Sequence, residues 1–225
     1  MNRVFSIAID GPAGAGKSTV AKALAKRLNA RYLDTGAMYR AVGLYFLRRG
    51  LTEDTAQVAH LASDMDIAVK FEGDTQRMLL DGEDVTLAIR TPEASMAASR
   101  VSAVPEVRAR LVRLQQETAR GIAMVMDGRD IGTKVLPNAE LKIYLTASCE
   151  ARALRRYAEL RSRGECPAYH AVLDDIVERD YNDSHRAASP LCRAADARLL
   201  DTSDMTLAQV IDAAVALAHA AGIEG

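Results

Sequence analysis

The chain has 225 residues, 49% of them hydrophobic, and a formal net charge of −1 at pH 7. This length and composition fit one globular domain with a full hydrophobic core, and the charge provides no general attraction for nucleic acids. No apolar run is long enough for a transmembrane helix, and the sequence does not begin with a secretory leader pattern. The three cysteines are too sparse for a zinc site or a disulfide framework. We therefore expect a cytoplasmic protein that binds neither nucleic acids nor membranes.

The chain begins with the pattern of a strand, a glycine-rich turn and a helix. An apolar run at 4–9 predicts a short buried strand, and the helix-forming segment 20–28 follows the turn. Between them, two glycines precede Lys17 and Ser18 with the spacing G-x-x-x-x-G-K-[ST] of a phosphate-binding loop. Glycines let the backbone approach phosphate oxygens closely, and successive amides at a helix start bind anions. We therefore predict a nucleotide site in which Lys17 contacts the β- and γ-phosphates and Ser18 helps to hold Mg²⁺.

Strand and helix patterns alternate along most of the remaining chain. The further predicted strands of this alternating part are 31–34, 122–126, 141–145 and 197–200. The further predicted helices are 37–49, 54–63, one that starts at Pro92, 105–120, 150–161, one that follows Pro167 and ends at about Arg179, and 207–220. This alternation predicts a parallel sheet with right-handed crossovers.

Residues 65–90 interrupt the alternation. Two strand patterns, 67–72 and 77–80, are separated by the turn signal Gly73-Asp74 and followed by a second turn signal at 81–82. The sequence therefore predicts a small β insertion.

Polar residues directly after the predicted strands are the first candidates for a binding site, because ligands of open parallel sheets bind beyond the carboxyl ends of the strands. We expect these residues to meet in one cleft. They are Asp10, Asp34, Thr35, residues 127–130, Asp201 and Thr202.

Asp127, Arg129 and Asp130 stand together where an apolar strand ends. An acidic residue in this position helps to organise Mg²⁺ in many phosphate-loop proteins. An ordinary polar turn would also explain the residues, but the strand-end rule favours a functional interpretation.

Two further arginine groups keep alternative interpretations open. Arg179, Asp183 and Arg186 would share one face of a helix, where they could bind a phosphate together with a base or sugar edge, or simply form solvated ion pairs. The arginines near Gly164 could belong to a mobile lid over a triphosphate or to a basic surface helix. This second group is Arg152, Arg155, Arg156, Arg161 and Arg163.

Seven segments, spread along almost the whole chain, resemble the bacterial cytidylate kinases of the nucleoside monophosphate kinase group. They are IDGPAGAGKST (9–19), LDTGAMYR (33–40), GEDVTLAIRTPE (82–93), ASRVSAVPEVR (98–108), DGRDIGT (127–133), KIYLTAS (142–148) and RDYNDSHRAASPL (179–191). The phosphate-binding loop alone is generic, whereas DTGAMYR, DGRDIGT and RDYNDSHR together are specific to the family. The resemblance implies an α/β P-loop kinase fold with three layers and a central five-stranded parallel sheet. It also implies a single domain over 1–225, with a monophosphate-binding insertion at about 65–90 and a lid at about 150–168.

The resemblance further implies transfer of the γ-phosphoryl group of ATP to CMP or dCMP, giving CDP or dCDP and ADP, by a monomer that uses Mg²⁺ held with the help of Ser18. The implied catalytic residues are Lys17, Arg129, Arg155 and Arg156. The implied ATP-binding residues are Gly11, Pro12, Ala13, Gly14, Ala15, Gly16, Lys17, Ser18 and Thr19. The implied CMP-binding residues are Thr35, Tyr39, Arg40, Ser99, Arg108, Asp127, Arg129, Asp130, Arg179, Asp183 and Arg186.

Two other functions are the alternatives. Another small-molecule P-loop kinase, of the adenylate or shikimate type, would share the loop but not the segments around Arg40 and Asp183. A nucleotide-dependent switch of the GTPase type should carry the guanine-binding tetrapeptide N-K-x-D, which is absent from the sequence.

Overall fold

The computed structural model describes residues 4–51 and 54–224, so a domain spanning 1–225 includes residues 1–3, 52–53 and 225, which lie outside the described residues. Eight strands occur in the described ranges. They are β1 (Ser6–Asp10), β2 (Arg31–Asp34), β3 (Ile67–Glu72), β4 (Thr75–Leu80), β5 (Glu83–Asp84), β6 (Met124–Gly128), β7 (Leu141–Thr146) and β8 (Arg198–Asp201).

Five of these strands form the central sheet in the order β2-β6-β1-β7-β8, and every neighbouring pair is parallel. The prediction of a five-stranded parallel sheet is therefore confirmed. All five residues of β6 are buried, as expected for a strand covered on both faces. The register places Asp10 beside Gly128 and Asp34 beside Asp127, so three strands end at the same edge.

Helices cover both faces of the sheet. They are α1 (Lys17–Arg27), α2 (Thr35–Arg48), α3 (Thr55–Leu61), α4 (Pro92–Val101), α5 (Pro105–Ala119), α6 (Cys149–Ser162), α7 (Tyr169–His185) and α8 (Leu207–Ala220). One core joins the sheet to α2 and α5 around Phe46 and Leu111, and the other joins it to α1 and α8 around Leu24 and Ala214. The result is the three-layer α/β architecture that the sequence predicted. No helix in the described ranges has both the length and the apolar character that crossing a membrane requires.

The predicted β insertion is an antiparallel sheet of β3, β4 and β5, located between α3 and α4. The two-residue strand β5 was not predicted, since two exposed acidic residues have no strand pattern. Thr91 caps the following helix by accepting the N–H of Ala94, with Pro92 at its start, as predicted.

Helix α7 is longer than predicted. It continues from Arg179, where the sequence suggested its end, to His185. The charged segment contains neither glycine nor proline, and Arg179 pairs with Asp175 one turn earlier, which favours helix continuation. Residues 179 and 183 are therefore helical, whereas Arg186 forms the C-cap.

Candidate functional site

The loop between β1 and α1 has the backbone shape of a phosphate-binding loop. Gly11, Gly14 and Gly16 have φ values of +150°, +74° and +85°, which favour glycine. A Cβ atom on Gly11 would lie 1.9 Å from the carbonyl oxygen of Leu145, so the loop passes directly against β7. The first turn of α1 starts at Lys17, and its free amides face the loop as an anion-binding helix N-terminus.

Lys17 is folded into this loop. Its Nζ atom donates to the carbonyl oxygen of Pro12 at 2.7 Å, and the residue is only 6% exposed. Burial, together with the nearby Arg129 guanidinium, lowers the pKa of Lys17 to about 7. An anionic ligand would therefore supply the negative charge that this buried ammonium group lacks.

Ser18 and Tyr32 both bond to the carboxylate of Asp127. The Ser18 hydroxyl donates to Oδ2 at 2.8 Å, and the Tyr32 hydroxyl donates to Oδ1 at 2.7 Å. Burial and the nearby Asp34 carboxylate raise the pKa of Asp127. The hydroxyl and carboxylate are oxygen donors of the kind that Mg²⁺ prefers. Among the described residues, no three His, Cys, Asp or Glu side chains group as a metal centre, so Mg²⁺ here would depend on ligand phosphates and water for most of its coordination.

The carboxyl ends of the strands open into one cleft with two adjoining compartments of about 770 and 640 Å³. Both compartments are bordered by the phosphate-binding loop. The first also contacts Arg155, Arg156, Thr202, Leu207 and Val210. The second contacts Thr35, Tyr39, Ser99, Arg108, residues 127–130, Asp183 and Arg186. Lys17, Ser18, Asp34, Arg40 and Arg179 line both, so they lie where the compartments meet.

The second compartment contains buried guanidinium nitrogens that have no hydrogen-bond partner among the described residues. They are Nε of Arg40, Nε of Arg108 and Nη2 of Arg186. Buried N–H groups without an acceptor cost stability, so such groups in a cleft indicate the place of an acidic ligand. Burial, together with the Arg108 guanidinium, lowers the pKa of Arg186, so an anionic ligand here would stabilise its charged form.

Two ion pairs hold Arg108 and Arg129 in this compartment. Arg108 is paired with Asp130, both almost fully buried, and its guanidinium lies 5.4 Å from the ring centre of Tyr39. Arg129 Nε donates to Asp183 Oδ2 at 2.6 Å, which connects the end of β6 to α7. These pairs join residues that are far apart in the sequence and hold them on one wall of the cleft.

Three predicted arginines lie around the first compartment. Arg155 donates to the hydroxyl and the carbonyl oxygen of Thr202. Arg156 pairs with Glu159, and Arg179 pairs with Asp175, both pairs being largely exposed. All three side chains line the cleft. Among the site residues that the resemblance implied, only Gly11 and Pro12 border neither compartment. Of the strand-end candidates, Asp10 and Asp201 also border neither, and the Asp201 carboxylate instead accepts hydrogen bonds from Ser203.

Comparison with known proteins identifies the family. The profile of the cytidylate kinase family matches residues 7–220. A cytidylate kinase from Caldicellulosiruptor bescii is 50% identical over 208 residues, which cover 92% of both chains. Another from Pelotomaculum thermopropionicum is 51% identical over 218 residues and 96% of both chains. The chain belongs to the cytidylate kinase family.

A solved shikimate kinase from Bacteroides thetaiotaomicron has the same overall fold, with a TM-score of 0.50, 14% identity and 94% coverage of both chains. This similarity confirms the predicted fold class, because at such low identity it concerns the fold alone. Membership of the cytidylate kinase family confirms the resemblance found in the sequence segments and identifies the chain as a kinase.

Three residues support the site through contacts that the sequence did not predict. Arg152, which was grouped with the lid arginines, is 3% exposed and pairs with Asp180 instead of facing the cleft. The Asp10 carboxylate accepts the N–H groups of Ile131 and Gly132, and so holds the short π-helical turn Ile131–Val135. Gln76 of the insertion bonds to the backbone of Asp34. Asp10 was predicted to line the cleft because it ends a strand, but it borders neither compartment and instead holds the turn after β6.

Proposed function

We propose that this chain transfers the γ-phosphoryl group of ATP to the phosphate of CMP or dCMP, producing ADP and CDP or dCDP. The observation that supports it most is that three arginines each have one buried guanidinium nitrogen without a hydrogen-bond partner. They lie in a compartment bordered by a phosphate-binding loop, in a member of the cytidylate kinase family. The loop suits the triphosphate of the donor, and the arginine-rich compartment suits a second, smaller anion.

On the donor side, the backbone N–H groups of residues 13–19 bind the phosphate chain of ATP, and Lys17 contacts its β- and γ-phosphates. The Ser18 hydroxyl would hold Mg²⁺, with the Asp127 carboxylate behind it. When bound, Mg²⁺ neutralises charge on the phosphate oxygens. Arg155 and Arg156 approach from α6, which with residues up to 168 forms the lid in this proposal.

On the acceptor side, Arg40 and Arg179, which line both compartments, bind the phosphate of the monophosphate. Asp130 and Arg108, deeper in the second compartment, bind the cytosine edge together with Ser99 and Arg129. Asp183 and Arg186 face the sugar or base side, and Thr35 and Tyr39 complete the wall.

The chemistry needs no dedicated general base, because the attacking phosphate oxygen is already an anion. The γ-phosphoryl group passes in line through a loose transition state whose charge lies on its equatorial oxygens. Lys17, Arg129, Arg155 and Arg156 stabilise that charge, and the fixed cleft aligns donor with acceptor. Closure of the lid would exclude water and so prevent hydrolysis of ATP.

The same proposal describes a monomer in the cytoplasm that binds neither nucleic acid nor membranes. Cys149, Cys166 and Cys192 are all free thiols, which is typical of a reducing compartment. The net charge of −1 provides no general affinity for polyanions.

An acceptor screen tests the proposal directly. Purified protein is supplied with ATP and Mg²⁺, and ADP release is followed with CMP, dCMP, UMP, AMP or shikimate as acceptor. We expect the highest kcat/KM with CMP or dCMP and negligible ADP release without an acceptor. Higher kcat/KM with AMP or shikimate would refute the assignment, and so would nucleotide hydrolysis independent of any acceptor.

A further inference from the structure

The outer edge of β2 is covered by side chains rather than by another strand. β2 is the terminal strand of the central sheet, so one side of its backbone has no partner strand. Gln76, on β4 of the insertion, bonds to this edge through both ends of its side-chain amide. Its Oε1 accepts the backbone N–H of Asp34 at 2.7 Å, and its Nε2 donates to the Asp34 carbonyl oxygen at 3.3 Å. The amide therefore occupies the place that a neighbouring strand's peptide group would take.

A second contact fixes the other end of the same edge. The Arg31 guanidinium donates to the carbonyl oxygen of Gly73, in the turn between β3 and β4, and lies 5.7 Å from the ring centre of Phe71. Within β4, Gln76 and the buried Met78 face the same side, and Gln76 Nε2 is 3.1 Å from the Met78 sulfur. The insertion thus contacts β2 at both of its ends. At the end next to the cleft, Gln76 holds the Asp34 backbone, and the Arg90 guanidinium lies 3.7 Å from the Asp34 carboxylate.

Asp34 links the Gln76 hydrogen bonds to the side chains of the cleft. Its Oδ1 accepts the N–H of Ala37 and caps α2, while its Oδ2 lies 2.9 Å from Nη2 of Arg40. Space around the pair is tight, since a Cβ atom on Gly36 would lie 3.1 Å from Asp34 Oδ1 and 3.2 Å from Arg40 Nη1. A shift of the Asp34 backbone would therefore move the carboxylate that orients Arg40.

We propose that Gln76 is a positioning residue for the acceptor phosphate, which acts by holding Asp34 and, through it, the Arg40 guanidinium. This inference rests on the proposed function, because that function assigns Arg40 to the phosphate of the nucleoside monophosphate. On this inference the β insertion contributes to acceptor binding, because its Gln76 side chain sets the geometry of Arg40, a phosphate-binding arginine on α2. Gln76 itself contacts no reacting atom.

The test compares steady-state kinetics of Gln76→Ala and Gln76→Glu with the wild type, varying CMP and ATP separately. Alanine removes both hydrogen bonds, and glutamate keeps the size of the side chain but cannot donate to the Asp34 carbonyl oxygen. We expect KM for CMP to rise by about tenfold in Gln76→Ala, the size of effect that losing two neutral hydrogen bonds supports, and by at least as much in Gln76→Glu. KM for ATP should stay within about twofold of the wild type, since the loop amides do not depend on Gln76.

Arg77→Ala is the matched control, because Arg77 is on the same strand and pairs only with Glu72 and Asp84 among the contacts described for it. It should leave both KM values unchanged. Unchanged KM for CMP in both Gln76 variants would overturn the inference, as would an equal loss in every kinetic constant, which would mean a purely structural role. A wild-type protein that does not phosphorylate CMP would instead overturn the proposed function, so the two failures are distinct.

Discussion

Arg152 and Asp180 form a two-point ion pair, with Nη2–Oδ2 and Nη1–Oδ1 distances of 2.6 and 3.0 Å. The same guanidinium donates to the carbonyl oxygens of Ala13 and Ala147 at 2.9 Å each. One buried side chain on α6 therefore connects the phosphate-binding loop, the end of β7 and α7. Since α7 carries Arg179 and Asp183, this contact fixes the spacing between the phosphate-binding loop and part of the second compartment.

Replacing Arg152 with methionine should destabilise the protein by about 3 kcal/mol, because the buried guanidinium no longer donates to the partly buried Asp180 carboxylate or to the two carbonyl oxygens. Urea unfolding of the ligand-free protein measures this. Arg163→Met is the control, since Arg163 pairs with Glu159 but is 59% exposed, and such surface pairs contribute less than about 1 kcal/mol. Equal stability losses in the two variants would contradict the role given to Arg152.

The contrast between Arg152 and Lys17 shows how far sequence could predict this site. Lys17 lies in a motif whose residue spacing is that of a phosphate-binding loop, so its position in such a loop could be predicted from the sequence. Arg152 lies in a group of arginines that look alike in the sequence. Their positions around α6 differ, so that Arg152 is buried while Arg155 and Arg156 face the cleft. Gln76 could not be found, because its partner Asp34 is 42 positions away and belongs to a different sheet. Local patterns thus predicted the strands and the loop, whereas contacts between distant elements required the fold.

Lys17→Ala should lower kcat with CMP by about 10²-fold or more, because it removes a preorganised charge at the transferring phosphoryl group. Steady-state ADP release at saturating ATP and CMP measures the effect. Lys26→Ala is a suitable control, because Lys26 is an exposed residue of the same helix. A Lys17→Ala variant that kept half of the wild-type kcat would rule out this role.

Binding of ATP at pH 8 should be accompanied by proton uptake. Burial and the nearby Arg129 guanidinium lower the pKa of Lys17 to about 7 in the free protein, so much of this residue is neutral at pH 8. Phosphate oxygens beside Nζ favour the charged form and raise its pKa. Calorimetric titrations with Mg²⁺-ATP, in two buffers of different ionisation enthalpy and without acceptor, should therefore give different apparent binding enthalpies. Lys17→Arg stays charged throughout and should abolish that difference; equal enthalpies for the wild-type protein would contradict the expectation.

Asp130→Ala should weaken discrimination between CMP and UMP much more than it affects ATP. Asp130 pairs with Arg108 in the second compartment, where both are almost fully buried, so its loss alters the groups assigned to the cytosine edge. A site that hydrogen-bonds an exocyclic group loses selectivity when that contact is removed, by about 1–3 kcal/mol per contact. The ratio of kcat/KM for CMP to that for UMP should therefore fall by about tenfold or more, with KM for ATP nearly unchanged.

Asp196→Ala is the control. It removes an exposed partner of Lys142 outside the cleft and should leave the ratio of kcat/KM for CMP to that for UMP unchanged. Equal losses for CMP and UMP in Asp130→Ala would show that Asp130 supports the compartment without distinguishing the base.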